Sequence, residues 1–339
     1  MNKKISLPDV TLLSITSVNI DQTQLALNVS SLDIEFAKVK LLCSSLPSSK
    51  LPYIEYIQIP KINYMDYSRI MIKDLYKFFE TKFCLIVQAD GFVVNSDFWN
   101  NDFLNYDYIG APWPEKVQVN PGKWFLSFNQ NKVGNGGFSI RSNKLAKVTS
   151  KIDFNNLTFP VKFEDVVICH YLYKDMIKQG IKFAPLELAA QFSIESPKNL
   201  YGQNIDKVFG FHGNHLRAKV IKKIHSKLNN KIYKKTGTFI DKYYYCPHYP
   251  VAGFKKEIKK LKIICKCRKP KPGLFLEAIN DFNLDKKNIY NIGNAKSDMY
   301  AGYSAGIKRN FLLSEDKKNI TYNKRYIELN YENFISKLK

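Results

Sequence analysis

The chain has 339 residues, 45% of them apolar and 24% charged, a globular composition that excludes a disordered or fibrous protein and predicts two compact units. Lys and Arg number 52 against 30 Asp and Glu, for a net charge of +22. The lysines thicken over residues 219–271, and no helix-turn-helix or aromatic RNA-binding signature accompanies them. The charge therefore reads as a solvated basic surface favouring anionic substrates or an anionic membrane surface, with nucleic acid the minor reading. The most apolar stretch, residues 83–94, is too short to cross a bilayer and is interrupted by Gln88 and Asp90. Pro8 arrives before an apolar signal-peptide core forms, so the chain is expected in the cytoplasm.

In chain order, VTLLSIT (residues 10–16) predicts a buried strand, residues 24–36 a helix, and VKLLCSS (39–45) the next strand. Residues 67–79 predict a second helix, and FCLIVQAD (83–90) a continuous apolar strand ending in polar groups. This β-α-β-α-β order implies an open, mostly parallel α/β sheet with helices on both faces. Ligands of such sheets bind beyond the carboxyl ends of the strands, where Gln88 and Asp90 fall. A glycine-rich loop follows (VGNGGFSI, 133–140), then the acidic pair Glu164 and Asp165 opening a helix, and the unit closes with VFGFHGNH (208–215). Residues 216–235 read as a basic helix plus linker. The second unit, 236–339, reads as a strand (TFIDKYYYC, 238–246), a Lys-rich loop and the block CKCRKPKPG. A helix (274–282), a strand (NIYNIGN), a helix (298–305) and a strand (NFLLS) complete it.

Each candidate group has a structural and a functional reading. A carboxylate at a strand end, Asp90, either caps a turn with Gly91 or ligates a divalent cation, since burying it unpaired costs several kcal/mol. Mg²⁺ or Mn²⁺ suits oxygen ligands and would neutralise a leaving diphosphate. The 134–137 loop is a plain turn or a place where backbone approaches a ligand closely. Glu164 and Asp165 complement a helix dipole, or one of them deprotonates an acceptor hydroxyl. Trp113 either stacks on a sugar or packs in the core. Cys43, Cys84 and Cys169 lie singly in apolar runs and read as buried small hydrophobes. Cys246, His248, Cys265 and Cys267 instead supply three sulfurs and one nitrogen, the set typical of structural Zn²⁺. Arg268 and Lys269 follow directly and suit a phosphate.

Five ordered blocks, VQADGFVVN, YDYIGAPW, VGNGGFSIRS, FEDVVICHYL and FGFHG, together resemble a bacterial glycosyltransferase-like family related to the GT-A sugar-nucleotide transferases, over about residues 8–215. The resemblance implies a nucleotide-sugar donor, a glycan or lipid-linked acceptor, and an Asp-x-Asp-type element for the metal and diphosphate. Asp90 matches its last position; Gln88 stands where the first Asp usually sits, leaving one anionic ligand fewer. His212 matches a late histidine ligand, with His215 a weaker candidate. Gly136, Gly137 and Ser139 match an acceptor-lining element, and Asp165, beside Glu164, matches the base of an inverting transferase. Without that resemblance His212 reads as an ordinary core histidine.

YYYCPHYP, CKCRKPKPG and IGNAKSDMYAGYSAG resemble the zinc-containing phosphatases of the haloacid dehalogenase superfamily, of the D,D-heptose 1,7-bisphosphate type, with histidinol-phosphate phosphatase a cousin. The resemblance covers about residues 236–315 and implies a partial Rossmann-like α/β segment with a zinc loop. In it Lys269 stabilises a phosphoryl group, Arg268 contacts substrate phosphate, and Asn294 and Asp298 occupy the Mg²⁺ element. Two departures stand out: Asn294 replaces an Asp, and the Asp-x-Asp-Gly-Thr nucleophile motif occurs nowhere in the sequence. Covalent phosphoryl transfer needs that carboxylate, so the segment is expected to be an impaired phosphatase. The sequence thus points to a sugar transferase of surface polysaccharide or lipopolysaccharide metabolism. The alternatives are a sugar phosphatase and a non-catalytic sugar-phosphate binder.

Overall fold

The computed structural model describes residues 4–119, 124–195, 200–213, 217–248, 261–314 and 319–338. The chain divides into two compact units, Met1–Lys235 and Thr236–Lys339. Among the described residues no helix is long and apolar enough to cross a membrane.

The first unit is a mixed α/β structure on a largely parallel sheet. Strands β1 (Ile5–Thr16), β2 (Ile34–Cys43), β3 (Glu55–Gln58) and β4 (Phe83–Ile86) run parallel to one another. Beyond them β5 (Gly91–Val93) turns away into a second sheet. The main sheet continues through β6 (Tyr108–Gly110), while β7 (Lys116–Val119) and β8 (Trp124–Ser127) form a separate hairpin. Strand β9 (Ser139–Ser142) lies antiparallel between β4 and β6, giving the order β3-β2-β1-β4-β9-β6.

Period-two alternation sorts the apolar residues of these strands onto two faces. Leu12, Leu41, Leu85 and Ile140 join one core, and Leu13, Leu42, Cys84 and Ile86 join another. Both faces are covered, which is why residues 10–15 of β1 are buried without alternation. The helix expected over 24–36 is Ile20–Ser30 instead. Ile34 and Phe36 belong to β2, where they are buried with the exposed Glu35 between them. The second helix begins at Tyr64, because Asn63 Oδ1 accepts from the Met65 and Asp66 N–H groups and Asp66 Oδ2 accepts from the Asn63 N–H. It continues through one π turn, Ile70–Asp74, and one 3₁₀ turn.

A smaller sheet is made of β5, β10 (Ser193–Ile194) and β11 (Gly210–His212) in the order β10-β11-β5. The segment expected to be helix plus linker is one helix, Arg217–Thr236, that belongs with this unit. Its Val220 is buried with Val94, Ile194 and Phe211, and Lys231 Nζ lies 2.5 Å from Asp33 Oδ1.

The second unit carries a four-stranded sheet of β12 (Tyr290–Gly293), β13 (Arg309–Leu313), β14 (Thr321–Tyr322) and β15 (Ile327–Leu329), in the order β12-β13-β15-β14. Helices Gly273–Asp281, Lys296–Ser304 and Tyr331–Leu338 accompany it. The strand expected over 238–246 is absent: this stretch has no regular structure. Side chains tie it down instead: Lys242 and the Tyr244 hydroxyl both bond Asp281, and Cys246 lies in a sulfur cluster.

Candidate active site and metal centre

Strand β4 ends at Ile86, four residues short of the predicted polar end. The Gln88 N–H then donates to Gly91 O at 2.8 Å and the Gly91 N–H to Gln88 O at 3.0 Å, closing a two-residue turn on Ala89 and Asp90. Asp90 therefore sits on a turn with its side chain 28% exposed, rather than at the end of a buried strand. The turn feeds β5, which pairs antiparallel with β11 in a register that sets Gly91 opposite His212. Strand β10 runs parallel on the other side of β11, with Ile194 opposite Phe211, so the next residue, Glu195, arrives beside His212.

His212 is the hub of this arrangement. Its Nε2 lies 3.3 Å from Gln88 Oε1 and 3.8 Å from Asp90 Oδ1, and its Nδ1 lies 3.4 Å from Glu195 Oε1 and 3.0 Å from Asn135 Nδ2. Asn135 Nδ2 also donates to Glu195 Oε1 at 2.8 Å, and Gln88 Nε2 donates to the Tyr67 hydroxyl at 2.9 Å. Burial lowers the His212 pKa, but the Glu195 hydrogen bond and the Asp90 and Glu195 charges outweigh it and hold it above the ordinary value. Asn135 Nδ2 only donates and Gln88 Oε1 only accepts, so these contacts suit a lone pair on Nδ1 and a proton on Nε2; a cation held beside Gln88 and Asp90 would take the place of that proton. Neighbouring ligands of a Mg²⁺-sized ion lie about 3 Å apart, given metal–oxygen distances of about 2.1 Å. The Gln88 Oε1–Nε2 separation fits that spacing, and the Asp90 contact is somewhat long for it.

The acidic pair opens a short helix, Glu164–Val166. Its two carboxylates have different surroundings. Glu164 is buried and accepts from Arg141 Nη2 at 2.9 Å, in an ion pair exposed by 1% and 4% at its two ends. Its charge is thus matched by a guanidinium below the surface, which distinguishes it from Asp165 within the expected pair. Arg141 also donates from Nε to Ser139 Oγ at 3.2 Å. Ser139 is fully buried and donates to Gly136 O, so it braces the glycine loop and is not placed to line an acceptor. Asp165 is half-buried and accepts from the Gly136 N–H at 2.9 Å and the Val166 N–H at 2.8 Å. Burial and the neighbouring Glu164 charge raise its pKa to about 7 despite those two donors.

Gly136 and Gly137 join the two groups. A Cβ on Gly136 would collide with Glu164 and Arg141, and one on Gly137 with the His212 ring. Only hydrogen at these positions lets the acidic pair and the histidine lie on either side of one backbone step. Gly137→Ala is expected to lose about 1–3 kcal/mol of stability through overpacking and to displace His212; thermal unfolding and the His212 imidazole NMR signals check both.

In the second unit, Cys246, His248, Cys265 and Cys267 present ligand atoms that all lie within 4.8 Å of one another, and could bind a metal. Cys246 Sγ is 3.4 Å from Cys265 Sγ and 3.1 Å from Cys267 Sγ, and His248 Nδ1 is 3.2 Å from Cys267 Sγ. These spacings approach the edge of a tetrahedron built on about 2.3 Å metal–sulfur bonds. Burial raises the Cys265 thiol, but hydrogen bonds from Cys267 and Cys246 outweigh it and bring it to about 6. Burial and the same sulfur neighbours push Cys267 up to about 12. Thiols this close do not all ionise without a cation among them.

Beside the cluster, Arg268 Nη1 donates to His248 O at 3.0 Å, and Lys269 Nζ bonds Asp298 Oδ1. Both cations border a cavity of about 610 Å³ that Cys246, Cys267, Phe275 and Ser297 also line. Asp298 is buried, its second oxygen accepting from the Ala295 N–H at 3.1 Å, while Asn294 is exposed.

A family model described as a protein of unknown function, DUF5672, matches residues 55–212. That span begins at β3, ends on His212 and holds every group of the first site. Two curated relatives are heptose-1,7-bisphosphate 7-phosphatases. The chain is 40% identical to the D-glycero-beta-D-manno enzyme of Haemophilus ducreyi over 81 residues, 24% of this chain and 42% of that protein. It is 42% identical to the D-glycero-alpha-D-manno enzyme of Campylobacter jejuni over 88 residues, 26% of this chain and 44% of that protein. The chain thus spans somewhat under half the length of these relatives. Among solved structures it is similar to the glycosyltransferase GlyE of Streptococcus pneumoniae at 12% identity and a TM-score of 0.38, covering 73% of this chain and 67% of that one.

Of the residues singled out in the sequence, the fold gathers Gln88, Asp90, Gly136, Gly137, Asp165 and His212 into one place, and the four cysteine and histidine ligands into another. His215 lies outside the described residues. Trp113 is core, stacked on Phe128 with ring centroids 4.2 Å apart. Glu195, Asn135, Arg141 and Tyr67 carry no signal of their own in the sequence. Glu195 becomes visible only once β10 is laid in register beside β11.

Proposed function

We propose that the first unit, with residues 1–215 as its transferase domain and 216–235 as a basic helix attached to it, transfers a sugar from a nucleotide donor to a glycan or lipid-linked acceptor. The observation that carries this reading is geometric: the Asp165 carboxylate, held by the Gly136 N–H at 2.9 Å, lies across a glycine step from His212, Gln88 and Asp90, and burial beside Glu164 raises its pKa. A base poised near neutrality suits abstraction of a proton from a sugar hydroxyl. The hydroxyl oxygen attacks the anomeric carbon and its proton passes to Asp165. The bond from that carbon to the diphosphate oxygen breaks, and its electron pair leaves with the nucleoside diphosphate. Asp90, Gln88 and His212 would hold a Mn²⁺ or Mg²⁺ ion, which supplies charge neutralisation for the diphosphate.

Residues 236–339 form the second part of the proposal: a phosphatase-like segment in which Zn²⁺, held by Cys246, His248, Cys265 and Cys267, is structural and Arg268 and Lys269 face phosphate esters. The heptose phosphatase relatives and the sugar-transfer reading together favour a setting in surface polysaccharide or lipopolysaccharide assembly. The helix Arg217–Thr236 carries eight basic residues by sequence and no acidic one, which suits an anionic membrane surface in the cytoplasm. Mg²⁺-dependent phosphate release by this chain alone would favour the hydrolase reading instead.

The deciding experiment is nucleotide release from UDP-, GDP-, CMP- and ADP-linked sugars with Mn²⁺. Asp90→Ala is expected to lower release from the accepted donor by about 10²-fold or more, since metal stabilisation of transition-state charge is worth several kcal/mol. Release that is indifferent to Asp90 rejects this assignment of the donor site.

A further inference from the structure

Beside the acidic pair stands a set of exposed aromatic and apolar side chains that the transfer chemistry leaves unused. Tyr64 is 55% exposed, Met65 43% and Phe163 38%. Tyr64 and Phe163 meet edge to face with ring centroids 4.9 Å apart, and Tyr67 stands 6.4 Å behind Tyr64. Single exposed apolar residues are ordinary on a protein surface, whereas neighbouring ones at the rim of a site ask for an occupant. These are also held firmly. Tyr64 is the first residue of a helix whose start is fixed by the reciprocal Asn63 and Asp66 bonds, and Phe163 immediately precedes Glu164. Partial burial and then the Glu164 and Asp165 charges raise the Tyr64 phenol pKa, as expected of a hydroxyl in the field of the acidic pair.

We propose that Tyr64 and Phe163, their rings set at 81° to each other, form a saccharide subsite, a corner in which the pyranose ring of the acceptor lies against one aromatic face while one of its hydroxyls reaches Asp165. As an acceptor assignment this rests on the sugar-transfer reading; as a carbohydrate site it does not. A hydroxyl that gives its proton to Asp165 lies within hydrogen-bond reach of that carboxylate, so the ring bearing it must lie against whatever flanks Asp165. The flank is aromatic, which suits the apolar C–H face of a pyranose, and Asp165 and the Tyr67 hydroxyl offer polar partners for its equatorial hydroxyls. A nucleotide fits less well, because its phosphates would be carried toward the Asp165 carboxylate instead of toward a cation.

Saturation-transfer-difference NMR on the full chain tests this with methyl α- and β-glycosides of glucose, galactose, mannose and N-acetylglucosamine, and with UMP and GMP as stacking alternatives. At least one glycoside is expected to take up saturation on its ring C–H protons with wild-type protein. Its affinity should weaken about tenfold in Tyr64→Ala and in Phe163→Ala, the scale of one lost aromatic contact, and should persist in Tyr64→Trp. Tyr76→Ala, an exposed aromatic elsewhere on the unit, should leave it unchanged, and circular dichroism confirms that each variant is folded. No saturation of any glycoside, or binding indifferent to both alanine variants, overturns the subsite; so does loss of UMP or GMP binding in place of glycoside binding. Glycoside binding that depends on Tyr64 in a protein that releases no nucleotide from any donor sinks the transferase reading and leaves the carbohydrate site standing.

Discussion

Replacing Asp165 with asparagine is expected to reduce sugar transfer by about 10²–10⁴-fold, the contribution of a positioned general base, in a chain that remains folded. The side chain keeps its size and one carbonyl oxygen to accept from the Gly136 or Val166 N–H, but it has lost the capacity to take a proton. Glu164 does not substitute for it, because its carboxylate is below the surface and held by Arg141. The pH dependence has a defined sign. The base works when deprotonated and its pKa is raised to about 7, so kcat/KM should climb with pH up to about 7 and level off above it. A free Asp would have put that rise near pH 3.9.

The same shift has a thermodynamic counterpart. Between the unfolded value of about 3.9 and the folded value of about 7, the folded state binds the proton and the unfolded state does not. Stability from this group is present in full below the lower value and is lost as pH rises through the upper one. Wild-type Tm should therefore decline from about pH 5 to pH 8 more steeply than that of Asp165→Asn. Parallel profiles would remove the support that the raised pKa lends to the base assignment.

The second large effect concerns the cysteine cluster. Stripping the metal with a chelator, or making Cys265→Ser, is expected to abolish a content of about one zinc per chain and to unfasten the segment around it. The helix Gly273–Asp281 has no buried residue, and the stretch over 238–246 has no regular structure, so neither is held by a hydrophobic core. The sheet is better provided for, since Phe311, Leu329 and Phe334 form one buried cluster and Met299, Leu312 and Tyr326 another. Hydrogen exchange should accordingly accelerate across 273–281 while β12, β13 and β15 stay protected. Unchanged exchange in the metal-free protein would show that the four ligands are dispensable for order.

The parts of this architecture legible in the sequence were those written in short range. The apolar runs within β1, β2 and β4 announce strands because residues 10–15, 41–43 and 84–86 are buried without a break, on one face of the sheet or the other. CPH and CKC announce a metal set because thiol and imidazole spacing is itself the chemistry. The glycine pair was legible as a close approach, though not what approaches it. What escaped was set by pairing between distant segments. Glu195 follows a two-residue strand whose meaning comes wholly from its register with β11. Asp90 looked like a buried strand end because nothing in VQAD distinguishes a continuing strand from a turn on Ala89 and Asp90. The three tyrosines before Cys246 carry strand propensity, yet among the described residues no strand pairs with them, and Lys242 and Tyr244 bond Asp281 through their side chains instead.

The three-stranded ribbon β10-β11-β5 also dictates when the protein first becomes competent. Its middle strand contributes His212, the last of the site's residues along the chain, while Gly91, its partner, is made more than a hundred residues earlier. A nascent chain that has exposed the whole six-stranded sheet, complete from β1 through β9, still lacks its imidazole and the strand that draws Glu195 into place. Until residue 212 has left the ribosome, such a polypeptide would fold its core with this cluster of side chains still incomplete.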